Sequence, residues 1–586
     1  MADVHAYISE QESAYQKPIM LEDDWYWSMK EHLRKSFLYK NSQFSKNNSD
    51  RKRRPYKNII RPILNIHYRT EGFDVKDIEI YVNNPDTYYK SFLVKKFHDK
   101  WALKNEMDTF IDEVVESYVD YGGVLVKNVR SVRPDVVDLR TIAFCDQTDI
   151  LSGPFALKHY FSASGLREME RYGWGNTENG ANMTIDDLIL KGEAHKMQDK
   201  TMGDSKTPGK YVEIYELHNV SEFDMDATSK DSEPQMFIVA MYKDETGKDN
   251  GVFLFKSPEP KLPFKFLSRD RVQGRALGFG AIEELFEAQK WTNFDEISII
   301  GMLEHASKTL YKTTDPKFKG QNLTNKDNGA VLDLQPGTDM SQVENSPRNL
   351  AVFNDACERW YEHARIMGAA SEISLGQQPS SGTPFASIQE QIKQGNDLHI
   401  WRQGRIAVFV DEIYRDLIIP HLAKELLKGS KFLQTLSSDE MREIADKVVT
   451  TEVNRRIKDS VLAGDTLLPE ELEVLKQIIR EGFGTSNKKF IEILKGEMSD
   501  ENLDVSTNIA GKQKNLAQIT DKLVNILRQF IATPEIRQDP EMVKLTNMVL
   551  ESSGLSPLMF SSQLAPVQPT QQGGRTTEPL ASFAEA

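Results

Sequence analysis

Three stretches of this 586-residue sequence carry side chains at spacings that chemistry could use, and each falls short of a working constellation. Gly482-Phe-Gly484-Thr-Ser-Asn-Lys488 superficially resembles a phosphate loop, but the GxxxxGK[ST] pattern that wraps backbone N–H groups around phosphates is absent, and helix capping explains the stretch better. Gly278-Phe-Gly280-Ala-Ile-Glu283 has glycines at two positions of the dinucleotide fingerprint, lacks the third, and leads into a helix too long for an ordinary βαβ unit. Asp146 and Asp149 are not joined by an acidic cluster suited to two-metal chemistry, and Asp149 reads as a turn or cap residue.

No HExxH, GxSxG or Cys-His constellation occurs. The eleven histidines stand singly, among them His305, His363, His399 and His421, and single helical histidines pack or face solvent far more often than they ligate. Cys145 and Cys357 lie 212 positions apart without CxxC spacing, which suggests neither a structural zinc site nor a disulfide framework and fits a reducing cytoplasm. The expectation is a chain that is not an enzyme, with no catalytic residues, no metal and no cofactor.

The elements that would position any binding group must come from a large body. A chain of this length exceeds the roughly 250–300 residues at which single cores stop growing, so at least three structural regions are expected. Charged residues at 27% and aromatics at 9% match folded globular proteins. The N-terminus lacks a basic region followed by an apolar stretch, and no run approaches the roughly 18 apolar residues of a membrane helix, so no membrane partner is expected. A net charge of −15 argues against a protein that grips nucleic acid by neutralising many phosphates. The basic run Arg51-Lys52-Arg53-Arg54 reads first as solvated surface.

Along the chain, residues 1–57 read as a peripheral N-terminal arm. Residues 58–280 read as an α+β region, with one long amphipathic helix from Tyr88 to Tyr121 and strand-like alternation at 123–127, 156–160, 211–217 and 236–242. Gly278 and Gly280 read as the turn into a helix of about 281–305, with Ile282, Phe286, Gln289, Asn293, Ile297 and Ile300 near one face. A small β-containing insert follows at 306–349, with extended pieces at 310–312 and 330–334. Then come a helix at 350–368, a Gly/Pro/Ser loop at 369–384 and 44 residues of helical periodicity from Phe385 to Lys428, bent by Pro420, Gly395 or Gly404. Residues 431–560 read as mostly helical, and 561–586 as a disordered tail. The fold class is α+β, predominantly α-helical.

The segment from Arg275 to Asn293, a glycine turn opening a long helix that carries Gln289 and Asn293, resembles tailed-bacteriophage portal proteins. The order helix, compact insert, helix, loop, very long helix and helical C-terminal region is similar to portals as well, over roughly residues 58–555. The resemblance implies a portal-like architecture. Residues 58–280 would form the wing, 281–305 and 350–368 the paired stem helices, 306–349 the clip, 369–384 the tunnel loop, 385–430 a long bent wing helix, and 431–560 further wing and crown.

It further implies a homo-oligomeric, typically dodecameric ring at one capsid vertex of the virion, assembled in the host cytoplasm. Double-stranded DNA would pass through it without sequence specificity. Its partners would be the large terminase, major capsid and scaffold proteins, and tail or adaptor proteins. Twelve copies would carry about −180, a sign that repels phosphates and discourages sticking. Candidate DNA-channel contacts are Lys308, Lys312, Lys317 and Lys319 near the clip and Gln377, Gln378, Ser380 and Ser381 in the loop. An exposed, solvated β-insert explains the lysines equally well, and a plain helix–helix linker explains the loop. The rival readings are another phage structural protein, such as an adaptor or minor capsid protein, and a DNA-processing nuclease whose metal carboxylates come from distant positions.

Overall fold

The computed structural model describes residues 4–42, 56–75, 78–82, 98–128, 133–191, 211–220, 234–243, 248–308, 310–321, 323, 331–343, 350–370, 385–422 and 505–509, with a few positions between 449 and 478. The chain forms two compact units, residues 1–428 with 501–511, and residues 429–500 with 512–586. In the second unit the described positions, 449, 453, 457, 474 and 476–478, are helical.

The first unit opens with α1 (Val4–Tyr15), a hairpin of β1 (Ile19–Glu22) and β2 (Trp25–Trp27), and α2 (Met29–Lys40). Ser28 starts α2 by accepting the Glu31 N–H on its hydroxyl, which satisfies one of the free donors of the first turn. Residues 4–42 are not a peripheral arm. Val4, Ile8, Tyr15, Trp27, Met29 and Leu33 belong to the main hydrophobic core, because these apolar residues face one way although the segment is polar overall.

Next come α3 (Ile60–Glu71), which buries Ile60, Ile63, Leu64 and Ile66, and β3 (Ile78–Val82). Residues 98–104 are helical and α4 spans Met107–Tyr121, so the expected helix to Tyr121 is interrupted. The Asn105 side-chain amide donates to the Trp101 carbonyl at 2.8 Å and Glu106 turns left-handed at φ +52, which closes one helix before the next begins. Residues 88–97 lie outside the described residues.

Strands β4 (Gly123–Lys127), β5 (Asp135–Val137), β6 (Ile142–Phe144) and β7 (Phe155–Ser162) lead to two short helices, α5 (Ala163–Met169) and α6 (Ile185–Lys191). They are followed by β8 (Tyr211–Val220), β9 (Gln235–Lys243), β10 (Asp249–Pro258) and β11 (Phe264–Ser268). An antiparallel sheet has the order β10-β9-β8-β7-β6, and a smaller one the order β11-β4-β5. Because side chains alternate along a strand, Phe237, Val239 and Met241 enter the main core while Ile238 and Ala240 join a second core with Leu166, Ile185 and Leu188. Both faces of the larger sheet are therefore covered.

The chain then enters α7 (Ala281–Glu284), α8 (Phe286–Ala306), β12 (Leu310–Thr313), β13 (Met340–Val343), α9 (Leu350–Met367) and α10 (Phe385–Ile413). Gly278 and Gly280 serve close approach. A Cβ on Gly278 would lie 2.5 Å from the Asp270 carbonyl oxygen, and one on Gly280 2.5 Å from that of Asp120. Residues 331–334 form no strand. The partner of β12 is β13, in the register Leu310↔Val343 to Thr313↔Met340, because Asp315 and the turn at Gly337 (φ +83) redirect the chain in between.

Helix α10 runs without interruption through Gly395 and Gly404, and its irregularity is a π turn at Tyr414–Ile418. Pro420 has no N–H for the carbonyl four residues back and its ring crowds that group, so the helix widens just before it. Helical structure continues to residue 422, beyond which the expected helix lies outside the described residues. The region from 431 onward is not all helix, since β14 (Val505–Ile509) pairs antiparallel with β3 in the first unit's fold. The expected helices at 488–494, 512–531 and 540–552, and the tail after 560, lie outside the described residues.

Candidate functional site

Helices α8 and α9 lie side by side. The Cys357 thiol is 3.9 Å from the Thr292 carbonyl, and the Trp291 and Trp360 rings stack with centroids 6.3 Å apart. Their insert-side ends are tied by the β12–β13 pair. Asp315 organises the insert: one carboxylate oxygen accepts the Lys317 N–H at 2.9 Å and the other the Gln335 N–H at 2.8 Å. These backbone donors, that of Gln335 foremost, hold its carboxyl below the usual range. Lys308, Lys312, Lys317 and Lys319 are all exposed around this scaffold, with the Lys317 ammonium 5.6 Å from the Phe318 ring centroid. Gln377, Gln378, Ser380 and Ser381 lie outside the described residues.

Gln289 and Asn293 face inward at 0% and 1% exposure. The Gln289 carbonyl oxygen accepts the Ile59 N–H at 2.9 Å, its amide donates to the Lys57 carbonyl at 2.7 Å, and the Asn293 oxygen accepts the Lys57 N–H at 2.9 Å. Two polar residues in an apolar stripe thus serve as a backbone clamp for the extended segment before α3, satisfying donors and an acceptor that burial would otherwise strand.

At the base of this helix pair lies a buried ionic cluster that no local motif announces. Glu71, at the end of α3, is fully buried, and its Oε1 lies 2.8 Å from His67 Nδ1, 3.1 Å from His399 Nδ1 and 3.0 Å from Arg269 Nη2. Arg402, one turn beyond His399 on α10, reaches Asp270 at 2.5 Å and Glu284 at 3.3 Å. Burial works to raise the Glu71 carboxyl, but hydrogen bonds from His399 and His67 and the charge of Arg269 outweigh it and hold it well below the usual range. Burial, helped by Arg269 and His399, pushes His67 down to about 4 against the pull of Glu71. Burial also raises the Glu284 carboxyl, against Arg269 and Arg402.

His67, Glu71 and His399 bring three ligand-type atoms within 4.8 Å of one another, a spacing that a metal ion can use. The cation already there is the guanidinium of Arg269, whose Nη2 is also 3.2 Å from His67 Nδ1, so a second cation would meet a fixed positive charge at contact distance. The arrangement is a charge-assisted joint between α3, the segment after β11, α7 and α10. One signal of it was present in the sequence: His67 and Glu71 stand at i and i+4 on the same helix face as Ile60, Ile63 and Leu64, where an unpaired charge would be expensive.

No protein-family model and no curated protein matches this sequence. Among solved structures, the chain is similar to a chain in the neck of an empty gene transfer agent particle computed with C6 symmetry, at 9% identity over 74% of this chain and 98% of that one, with a TM-score of 0.34. A chain in the virion of the native gene transfer agent particle gives 9% identity, 80% and 98% coverage and a TM-score of 0.29. A chain in the neck of the native particle computed with C12 symmetry gives 10% identity, 75% and 98% coverage and a TM-score of 0.32. Similarity at this level assigns neither fold nor role.

Proposed function

We propose that the chain is a portal-type structural subunit, non-enzymatic, that forms a ring at one vertex of a phage-like capsid and serves as the conduit for double-stranded DNA. The observation that carries this reading is the succession of α8, a two-stranded insert and α9 packed back on α8, followed by the 29-residue helix α10. Two further features support it. Trp291, Phe294, Leu303, Val352, Ile366 and Met367 expose apolar surface along the helix pair, as expected where neighbouring copies cover it. Residues 306–349 hold six basic and five acidic side chains, net +1, in a chain whose net charge is −15. A conduit built this way meets phosphates with a few weak contacts inside an otherwise repulsive body.

In this reading α8 and α9 form the stem, the insert the clip and residues 369–384 the tunnel loop. The ring docks the large terminase during packaging and tail or adaptor proteins afterwards, with major capsid and scaffold proteins around it. Native mass spectrometry with negative-stain class averages tests it: rings of about twelve copies with a central hole are expected from the family resemblance. A compact monomer under assembly conditions would overturn the ring and leave the adaptor reading. Reversing Lys308, Lys312, Lys317 and Lys319 to Glu together is expected to leave the rings intact and lower the DNA packaged per particle. Unchanged packaging would remove these lysines from the conduit.

A further inference from the structure

A cavity of about 440 Å³ opens in the first unit between the end of α2, the second half of α4, and β5 with the turn that follows it. Tyr121, Val136 and Val137 give it an apolar wall, joined by the exposed Phe37 ring. Four carboxyl groups line it, Glu113, Glu116, Asp120 and Asp138, against two cations, Lys40 and Arg140. Two of the carboxyl groups are already filled. Asp138 holds the Arg140 guanidinium through both oxygens, at 3.0 and 2.7 Å, with that guanidinium 4.1 Å from the Phe37 ring centroid. Buried Asp120 takes the Lys40 ammonium on one oxygen at 2.6 Å and the Tyr68 hydroxyl on the other.

Glu113 and Glu116 keep acceptor capacity. They stand one turn apart on α4, and their side chains are 42% and 56% exposed. Glu116 shares the Lys40 ammonium with Asp120, and Glu113 has Arg133 at 3.9 Å, beyond hydrogen-bond distance. A carboxylate offers about four lone-pair positions, so both can take further N–H donors. The acidic row continues along the helix, where burial, then the charges of Asp108, Asp74 and Glu116, raise the Asp112 carboxyl. Like charges at four-residue steps cost a helix stability, and a bound cation removes that cost. A bare acidic row attracts any cation. This one forms a wall of a cavity whose other wall is apolar, which suits a cationic head on a hydrocarbon stem. Arg140, lying on Phe37 and Asp138, is the same chemistry satisfied from within the chain.

The sequence holds a ligand of this class beside the cavity. The basic run Arg51-Lys52-Arg53-Arg54 lies outside the described residues, but both of its flanks are pinned at the C-terminal end of α2, where Asn41 lines the cavity. The Tyr56 hydroxyl donates to the Tyr39 carbonyl at 3.2 Å, and the Asn58 amide to the Ser42 hydroxyl at 2.9 Å.

We propose that this cavity is a binding site for a guanidinium or alkylammonium group, with the head between Glu113 and Glu116 and the stem against Tyr121 and Val136. The group comes from a basic peptide segment, and its two sources are the chain's own residues 51–54 and a separate polypeptide. The site stands independently of the ring reading.

Fluorescence anisotropy of a labelled Arg-Lys-Arg-Arg peptide with the full chain at low ionic strength tests it. The peptide is added to the wild type and to a variant carrying Arg51→Gln, Lys52→Gln, Arg53→Gln and Arg54→Gln. Equal binding to the two supports the site and assigns a separate polypeptide as the source. Binding about tenfold tighter to the variant supports the site and assigns the chain's own run, which the peptide must displace in the wild type. In the background that binds, Glu113→Gln/Glu116→Gln should weaken the peptide tenfold or more, the equivalent of one lost charge-assisted contact. Asp186→Asn/Asp187→Asn on α6, the same change in net charge, should leave it within about twofold. No binding in either background, equal losses in the two double variants, or no loss in Glu113→Gln/Glu116→Gln would each overturn the proposal. If that double variant does not fold, Glu113→Lys, which puts a cation into the cavity, should block the peptide, and unchanged binding would overturn the site.

Discussion

In two buried histidine–glutamate clusters of the first unit, built from similar residues, one histidine is shifted down and the other up. Around Glu71, two guanidiniums, Arg269 and Arg402, supply the positive charge, and burial keeps His67 neutral. On β8, His218 lies 2.8 Å from Glu259 and 3.3 Å from Glu216, stacked on Phe155 with centroids 5.0 Å apart. Burial works to lower this histidine too, but the hydrogen bonds it donates to Glu216 and Glu259 and the charges of those carboxylates outweigh it, so it is raised. Glu216 in turn is held well below the usual range: its burial is outweighed by bonds from His159 and His218 and the charge of Lys127. The residue type does not decide which way a buried histidine is shifted. The partner set does: His218 faces two carboxylates, whereas His67 faces one that it shares with the Arg269 guanidinium.

Removing that cation should have the largest effect. Arg269→Met leaves Glu71 a buried carboxylate short of its main countercharge, and a loss of about 3–5 kcal/mol in urea denaturation is expected. A change under ~1 kcal/mol would mean that Arg402 alone balances the cluster.

The pH dependence of the two histidines should differ in sign. His67 has a folded value of about 4, below its ordinary 6.5, so its contribution is present above 6.5 and is lost as pH falls toward 4. His67→Gln should therefore gain on the wild type, by on the order of 2 kcal/mol, as pH is lowered over that window. His218 is raised above 6.5, so its contribution is fully present below 6.5 and lost as pH rises through the raised value. His218→Gln should lose most at acidic pH and draw level with the wild type in alkali. Parallel pH curves for the two variants would break the comparison.

The smallest effect is expected from trimming one partner. Glu259→Gln leaves a neutral acceptor beside His218 and should lower stability by about 1–2 kcal/mol near neutral pH, with the loss fading as the histidine deprotonates. A loss that does not change with pH would assign Glu259 a packing role.

Much of the local structure was legible because its cause is local. The alternation at 211–217 and 236–242 marks strands, and the three- and four-residue spacing around 281–305 and 350–368 marks helices, because side-chain direction follows backbone period. Where a break came from two or three residues it was missed or misplaced. Asn105-Glu106 interrupts an otherwise smooth apolar pattern, and Pro420 acts through a π turn at 414–418 while the suspected glycines leave α10 intact.

What the sequence by itself determined is thus the order of helices and strands, the acidic balance, and the exposed lysines of the insert. The tertiary structure alone decided which distant residues meet. Glu71 and His399 are 328 positions apart, β14 finds β3 from more than four hundred residues away, and β12 pairs with 340–343 in place of 330–334. The reason is physical: a buried charge is stable only beside its partner, and a strand only beside another strand. Neither requirement leaves a mark at a fixed sequence spacing.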